Sequence, residues 1–129
     1  MINGTRHEAR ERALSLLYEA AQKHVAPAEV LAELPVLPDP YCAMLVTLAG
    51  DHQSAADDAI ARAASNWPLE RIGLIDRLVM ELAFGEMRSD DPPPVAVVID
   101  EAVELAKTYS TESSGSFVNG VLSSILLPS

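Results

Sequence analysis

Aromatic residues, cysteine and long apolar runs are scarce in this sequence. Phe, Trp and Tyr make up 5% of its 129 residues although 49% are hydrophobic, a mixture that favours packed helices over sheets. The single cysteine, Cys42, cannot form an internal disulfide and has no partner at metal-ligand spacing. No segment approaches the roughly 20 apolar residues that span a bilayer, and the N-terminus lacks the pattern of a secretory signal peptide. These absences predict a soluble, cytoplasmic, helical protein.

Positive charge is also scarce. Nine Lys and Arg stand against 19 Asp and Glu, which gives a formal net charge of −10. An acidic protein repels a phosphate backbone unless its few cations lie together. Arg6, His7, Arg10 and Arg12 all fall within the first twelve residues, and Arg6 and Arg10 are four apart, so we expect them on one helical face. The acidic remainder of the chain predicts a basic protein partner.

Apolar periodicity and proline positions divide the chain into helices. Thr5 followed by Glu8 predicts a capping box at the first of them. Proline-rich connectors are expected at 35–40 and 90–94, with a break at 66–68. The helices are predicted at 6–23, 27–34, 41–65 and 71–87, followed by two more. The prediction is therefore an all-α protein of about six to seven helices, one domain over 1–129 built of two small packed bundles, about 1–66 and 67–129.

The last predicted helix contains a glycine within an apolar stripe. Phe117, Val121 and Ile125 form part of the stripe, and Gly120 lies inside it. A glycine in a helix interior costs about 1 kcal/mol relative to alanine. Its presence predicts that another backbone or a ligand comes close to this helix.

Patterns typical of enzymes and metal sites are missing. His7, His24 and His52 are scattered, and none has a histidine or cysteine partner at ligand spacing. The six glycines stand alone, so no phosphate-binding loop is formed. We therefore expect no catalytic activity, no metal site and no cofactor.

Four segments together carry a family resemblance. They read RHEARERA at 6–13, WPLERI at 67–72, VIDEAVELAK at 98–107 and FVNGVL at 117–122. In this order and at this spacing they resemble the NusB (Nus factor B) family of bacterial transcription antitermination proteins. The resemblance implies an all-helical fold of two small bundles and a protein that is not an enzyme.

The resemblance also implies partners and site residues. Family members pair with the small-subunit ribosomal protein NusE (Nus factor E), bind the single-stranded box A sequence of nascent ribosomal RNA and join an RNA polymerase antitermination complex. The main RNA contact is the first helix, which carries over to Arg6, His7 and Arg10. The start of the last helix contributes further contacts, which carry over to Phe117 and Asn119.

A patch of carboxylates is the predicted surface for the basic partner, since charge complementarity steers association. The patch consists of Glu81, Glu86, Asp100 and Glu101. An alternative is an interaction adaptor with weak or no RNA binding, and a third is the helical regulatory domain of an RNA cytosine methyltransferase. The apolar Leu126 and Leu127 are compatible with a homodimer.

The chain departs from the family pattern at several positions. Glu81 stands where the family often has an arginine, and Ser113 where an acidic residue is common. Gly85 stands where tyrosine is common, and Leu48 where the third helix usually has glycine. The loss of a basic side chain favours the adaptor, whereas Arg6, Arg10 and Asn119 favour the RNA-binding factor.

Overall fold

The computed structural model of the chain describes residues 5–65 and 67–127. Over these residues it contains only helices, which confirms the all-α prediction and its count. None of the described helices is long and apolar enough to cross a membrane. In chain order the elements are α1 (Arg6–Lys23), α2 (Pro27–Glu33), α3 (Pro40–Asp51), α4 (Gln53–Ala63), a short 3-10 helix (Leu69–Arg71), α5 (Leu74–Glu86), α6 (Val95–Tyr109) and α7 (Ser114–Leu126).

Helix α1 has the predicted boundaries because both of its ends are capped. The Glu8 amide donates to Thr5 Oγ1 at 3.1 Å, and the Thr5 amide donates to Glu8 Oε1 at 2.9 Å. This confirms the capping box, which satisfies two amides that have no partner within the helix. At the other end His24 adopts a left-handed conformation with φ 57°, and its amide bonds to the last turn.

The predicted helix over 41–65 is wrong, because two helices occupy this segment. Helix α3 ends at Asp51, and α4 begins at Gln53 after His52, whose φ of −107° and ψ of 13° are not helical. The His52 amide still bonds to the Leu48 carbonyl, and the His52 carbonyl accepts from the Ala56 amide. The His52 amide and carbonyl thus both stay paired at the bend, and the poor helix formers Gly50 and Asp51 just before it favour the bend. Asn66, part of the predicted break, lies outside the described residues.

Helix α5 is the centre of the molecule. It packs against α1, α3, α4, α6 and α7, and every residue from Leu78 to Glu86 is buried. It begins later than predicted because the 3-10 helix and Gly73 precede it. A helix that is buried on all sides needs internal partners for its polar residues. The proposed division of the chain into bundles of 1–66 and 67–129 stays a prediction.

At Gly120 the sequence predicts the approach of another backbone or of a ligand, and the close backbone approach is found at Gly85 instead. A Cβ atom on Gly85 would lie 2.9 Å from the Ala49 nitrogen and 3.0 Å from the Leu48 carbonyl carbon, so α3 and α5 can meet only because this side chain is missing. Gly120 is exposed, with open space where its Cβ would be. The two departures from the family pattern, Leu48 and Gly85, therefore lie against each other.

Candidate nucleic-acid and partner interface

Arg10 is buried beside the carboxylate of Glu86. Its side chain is 4% exposed, and it donates from Nε to Oε1 at 2.8 Å and from Nη2 to Oε2 at 2.6 Å. The hydroxyl of Tyr41 on α3 donates to the same Oε2. A bidentate pair of this kind is strong and geometrically specific. The structure thus corrects two predictions: Arg10 does not present its guanidinium to RNA, and Glu86 does not present its carboxylate to a protein partner.

Tyr41 connects this buried pair to the surface. Burial, together with the hydrogen bond to Glu86 and the charge of that carboxylate, raises the pKa of Tyr41 to about 12. The hydroxyl therefore remains a donor throughout the physiological range. On the outer side, the guanidinium of Arg6 lies over the Tyr41 ring, 4.6 Å from its centroid. Arg6 is exposed, and a cation that rests on an aromatic face keeps its N–H groups available at the edge.

His7 binds two carboxylates of the protein itself. Its Nδ1 donates to Glu101 Oε2 at 2.8 Å, and its Nε2 lies 3.7 Å from Glu11 Oε2. The hydrogen bond to Glu101 raises the pKa of His7 above its ordinary value, while partial burial opposes the change. Glu101 Oε1 also lies 3.6 Å from Arg10 Nη1. Glu101, predicted to bind a partner, is thus engaged by cations of α1.

Glu81 is the second buried glutamate of α5. It is 1% exposed, so its predicted role on a partner surface is corrected. Gln53 Nε2 donates to Oε1 at 3.2 Å, and Nε of Arg77, one turn earlier on the same helix, lies 3.6 Å from Oε2. Burial raises the pKa of Glu81 to about 9, and a hydrogen bond with the neighbouring Asp57 adds to the increase.

An exposed aromatic groove lies between the end of α4 and the start of α7. Trp67 is 52% exposed, and its Nε1 donates to the Arg71 carbonyl at 3.2 Å, which orients the indole. Phe117 on α7 is half-buried and lines the same groove, whose volume is about 440 Å³. Asn119 is exposed on α7 beside Gly120, another residue of the groove wall.

Trp67 is the residue that sequence reasoning failed to assign to a site. It belongs to the conspicuous segment at 67–72 and precedes Pro68, but an isolated tryptophan at a helix break gives no sign of its exposure. A second depression shares Trp67 and Phe117 and adds Arg71, with a volume of about 380 Å³. On its floor the Ser114 hydroxyl donates to Asp76 Oδ2 at 3.0 Å. Aromatic, cationic and hydroxyl groups are therefore gathered around one tryptophan.

The remaining acidic residue of the predicted patch is exposed. Asp100 lies on α6 and lines a groove of about 450 Å³ together with Glu104 and His7. Among the described residues, no group of three or more His, Cys, Asp or Glu is placed to hold a metal ion. The accessible acidic surface is therefore on α6 and not on α5.

Comparisons with known proteins agree with this geometry. The family model described as the NusB family matches residues 7–126. The chain belongs to the NusB family. It is 41% identical over 122 residues to the transcription antitermination protein NusB of Geobacillus kaustophilus (strain HTA426), which covers 93% of this chain and 94% of that protein. The resemblance of the sequence to this family is confirmed.

Solved structures show the same fold. A structure of T. maritima NusB matches with a TM-score of 0.84 and 32% identity, over 96% of this chain and 92% of that one. A structure of antitermination factors NusB and NusE in complex with dsRNA matches with a TM-score of 0.74 and 30% identity, over 93% and 94%. NusB proteins are transcription antitermination factors, so membership of the family confirms that this chain is not an enzyme.

Proposed function

We propose that this NusB-family chain binds single-stranded box A RNA of nascent ribosomal transcripts together with NusE, and joins the RNA polymerase antitermination complex in the cytoplasm. The observation that carries the proposal is the exposed groove between Trp67 and Phe117 on a NusB fold. A family member has been solved with NusE and double-stranded RNA, which supports both partners.

The groove suits unpaired bases. Proteins bind single-stranded nucleic acid by stacking bases on aromatic rings, at roughly 1–3 kcal/mol per base, and by hydrogen bonds to base edges. Trp67 offers a ring of which half is exposed, and Phe117 offers a second ring in the same groove. Asn119 can both donate to and accept from a base edge. These three residues supply contacts that do not depend on net charge.

Phosphate contacts are assigned to the accessible arginines. Arg6 is exposed at the first turn of α1, where free backbone amides also favour an anion. Arg71 is exposed and lines the depression beside Trp67. Arg10 has no such role, because Glu86 occupies its guanidinium. His7 retains the role only when it leaves Glu101.

The contact with NusE is assigned to the exposed acidic face of α6. Asp100 and Glu104 line one groove there, and charge complementarity with a basic ribosomal protein would fix the register of the two proteins. The measurement is size-exclusion chromatography of a mixture at micromolar concentration. We expect a one-to-one complex with the wild type and a weaker one with Asp100→Lys, and failure of the wild type to co-elute would contradict the partner assignment.

The RNA assignment is tested by fluorescence anisotropy with a labelled box A strand, with and without NusE. Trp67→Ala should weaken binding by about tenfold or more, whereas Trp67→Phe should retain much of it, because the stacking surface persists. Leu37→Ala is a matched control, since Leu37 is an exposed apolar residue in the connector between α2 and α3. Equal RNA affinity of Trp67→Ala and Leu37→Ala would contradict the groove assignment.

A second candidate function is an adaptor that binds NusE but has little affinity for RNA. It is favoured by one specific observation: Arg10 and His7, two of the three cations predicted to bind RNA, are held by carboxylates of the same chain. The adaptor would form the one-to-one complex and show no change of RNA affinity when NusE is added. RNA binding that NusE strengthens would exclude it.

A further inference from the structure

One carboxylate, Glu101, contacts two of the cations at the start of α1. Its Oε2 accepts from His7 Nδ1 at 2.8 Å, and its Oε1 lies 3.6 Å from Arg10 Nη1. The Glu101 side chain is 25% exposed and that of His7 is 48% exposed, so both can be reached from solvent. The contact joins two helices 94 residues apart in sequence.

A carboxylate in this position uses the same donors that a phosphate would use. Charge-assisted hydrogen bonds from imidazolium or guanidinium go equally to carboxylate and phosphate oxygens. A phosphate that approaches His7 must therefore displace Glu101 or bind beside its negative charge. Either event costs free energy that would otherwise contribute to RNA binding.

We propose that Glu101 is an internal competitor for RNA phosphate, which holds His7 against α6 and so keeps its imidazole away from RNA phosphate in the wild type. The inference rests on the proposed function, because it concerns the same surface at the start of α1. Arg10 does not leave with His7, since Glu86 fixes its guanidinium by two hydrogen bonds. His7 is the movable group and Glu101 is the residue that sets its availability.

Neighbouring acidic residues do not have this role. Asp100 and Glu104 are exposed on the same helix but take part in none of the ion pairs found among the described residues. Glu11 also faces His7, at 3.7 Å, but its carboxylate accepts a hydrogen bond from the Tyr109 hydroxyl at 2.8 Å. Glu101 has the shortest contact with His7 and is the only one of these carboxylates that reaches Arg10 as well.

The experiment compares Glu101→Gln with Glu29→Gln. Both substitutions remove one negative charge and keep the side-chain size, and Glu29 lies exposed on α2, outside the proposed RNA and partner surfaces. Binding of a single-stranded box A oligonucleotide is measured by anisotropy over a salt series at about pH 5.5, where a histidine of ordinary pKa, about 6.5, is protonated in both variants. We expect Glu101→Gln to bind about three- to tenfold more tightly than Glu29→Gln, with a log–log salt slope steeper by up to about 0.7, because one more cation meets a phosphate.

A second measurement follows the contact without RNA. In an NMR titration, the pKa of the His7 imidazole should fall towards its ordinary value in Glu101→Gln, because the carboxylate that raises it is gone. An unchanged His7 pKa would overturn the inference, and so would equal RNA affinities of Glu101→Gln and Glu29→Gln. The latter result would leave the proposed function intact provided that RNA binds. Absence of RNA binding by wild type and both variants would overturn the proposed function and the inference together.

Discussion

The first turns of α1 and the groove between α4 and α7 would meet RNA with different kinds of contact. At α1 the cations Arg10 and His7 are held by Glu86 and Glu101, so their charge is largely used within the protein. In the groove, the ring of Trp67 is 52% exposed, and its hydrogen bond to the Arg71 carbonyl uses only the ring edge. The cations at the start of α1 therefore mainly stabilise the protein itself, whereas the aromatic ring in the groove is exposed to solvent.

The difference follows from the composition of the chain. With 19 acidic and nine basic side chains, an arginine or histidine near the surface has a carboxylate within reach more often than a carboxylate has a cation within reach. The cations are therefore bound in ion pairs within the protein, whereas carboxylates do not bind the face of an aromatic ring and leave it accessible. An acidic RNA-binding protein is thus expected to depend on stacking more than on phosphate contacts.

The largest expected effect is loss of the pair that holds α1. Glu86→Gln would leave the Arg10 guanidinium buried without its bidentate partner, and removal of one member of a buried ion pair costs about 3–5 kcal/mol. The free energy of unfolding, measured by urea denaturation, should fall by that amount, with Glu29→Gln close to wild type. A loss below about 1 kcal/mol would show that Arg10 is not held in the interior by Glu86. The contrast between the start of α1 and the groove between α4 and α7 would then disappear.

A smaller effect concerns Glu81, the interior acid without a full counter-charge. Because its pKa in the folded protein is about 9, against an ordinary value of 4.5, the folded state holds a proton that the unfolded state releases between about pH 5 and 9. The free energy of unfolding should therefore fall as pH rises through this window, by at most about 1.4 kcal/mol per pH unit.

Glu81→Gln tests this directly, because the amide carries no proton that can be lost. The variant should lose this contribution to the pH dependence of stability. Its stability relative to wild type, measured by thermal unfolding, should therefore be higher at pH 8 than at pH 5.5. Identical pH profiles of the two proteins would mean that Glu81 is ionised and solvated in the folded protein, which would contradict its raised pKa.

In the groove, Phe117→Ala should weaken RNA binding by about 1–3 kcal/mol through the lost stacking surface. Phe117 also packs against the core, so circular dichroism and thermal unfolding must show that the variant is folded at the assay temperature. Unchanged RNA affinity in a folded Phe117→Ala protein would indicate that bases do not stack in the groove. The groove would then not differ from the start of α1 in its contact with RNA.

The smallest expected effect belongs to Arg6. Arg6→Ala removes one exposed cation, so it should reduce the magnitude of the log–log salt slope of RNA binding by about 0.7 and leave stability nearly unchanged. A salt titration of both proteins checks this. A variant that binds RNA with the wild-type slope would show that Arg6 makes no phosphate contact.

The fold could be predicted largely from local sequence signals. Thr5 and Glu8 set the start of α1, and the apolar spacing predicts most of the helical segments, apart from the division between α3 and α4 and the later start of α5, because these signals act within one or two turns. The bend at His52 was missed because the apolar pattern continues on both sides of it. The sequence alone does not single out Gly85 over Gly120, since only the packing of α3 on α5 distinguishes a crowded glycine from an exposed one.

The site was predictable only in part. The spacing of Arg6 and Arg10 places them on neighbouring turns but does not reveal that Glu86, 76 residues beyond Arg10, faces one of them. Likewise, the charge of Glu81 suggested a surface position, while the helices around α5 bury it. Burial of a charged side chain is decided by contacts distant in sequence, so a charge pattern alone could not separate the interior pair from the exposed contacts.

The most direct test of the account is the salt dependence of wild-type binding to single-stranded box A RNA, measured in the presence of NusE and corrected for the dependence of NusE alone. If stacking carries most of the affinity and only Arg6 and Arg71 meet phosphates, the log–log slope attributable to this chain should lie between about −0.7 and −1.5. A slope of about −2.8 or steeper, equivalent to four or more phosphates, would contradict the account, because cations other than Arg6 and Arg71 would then have to meet phosphates.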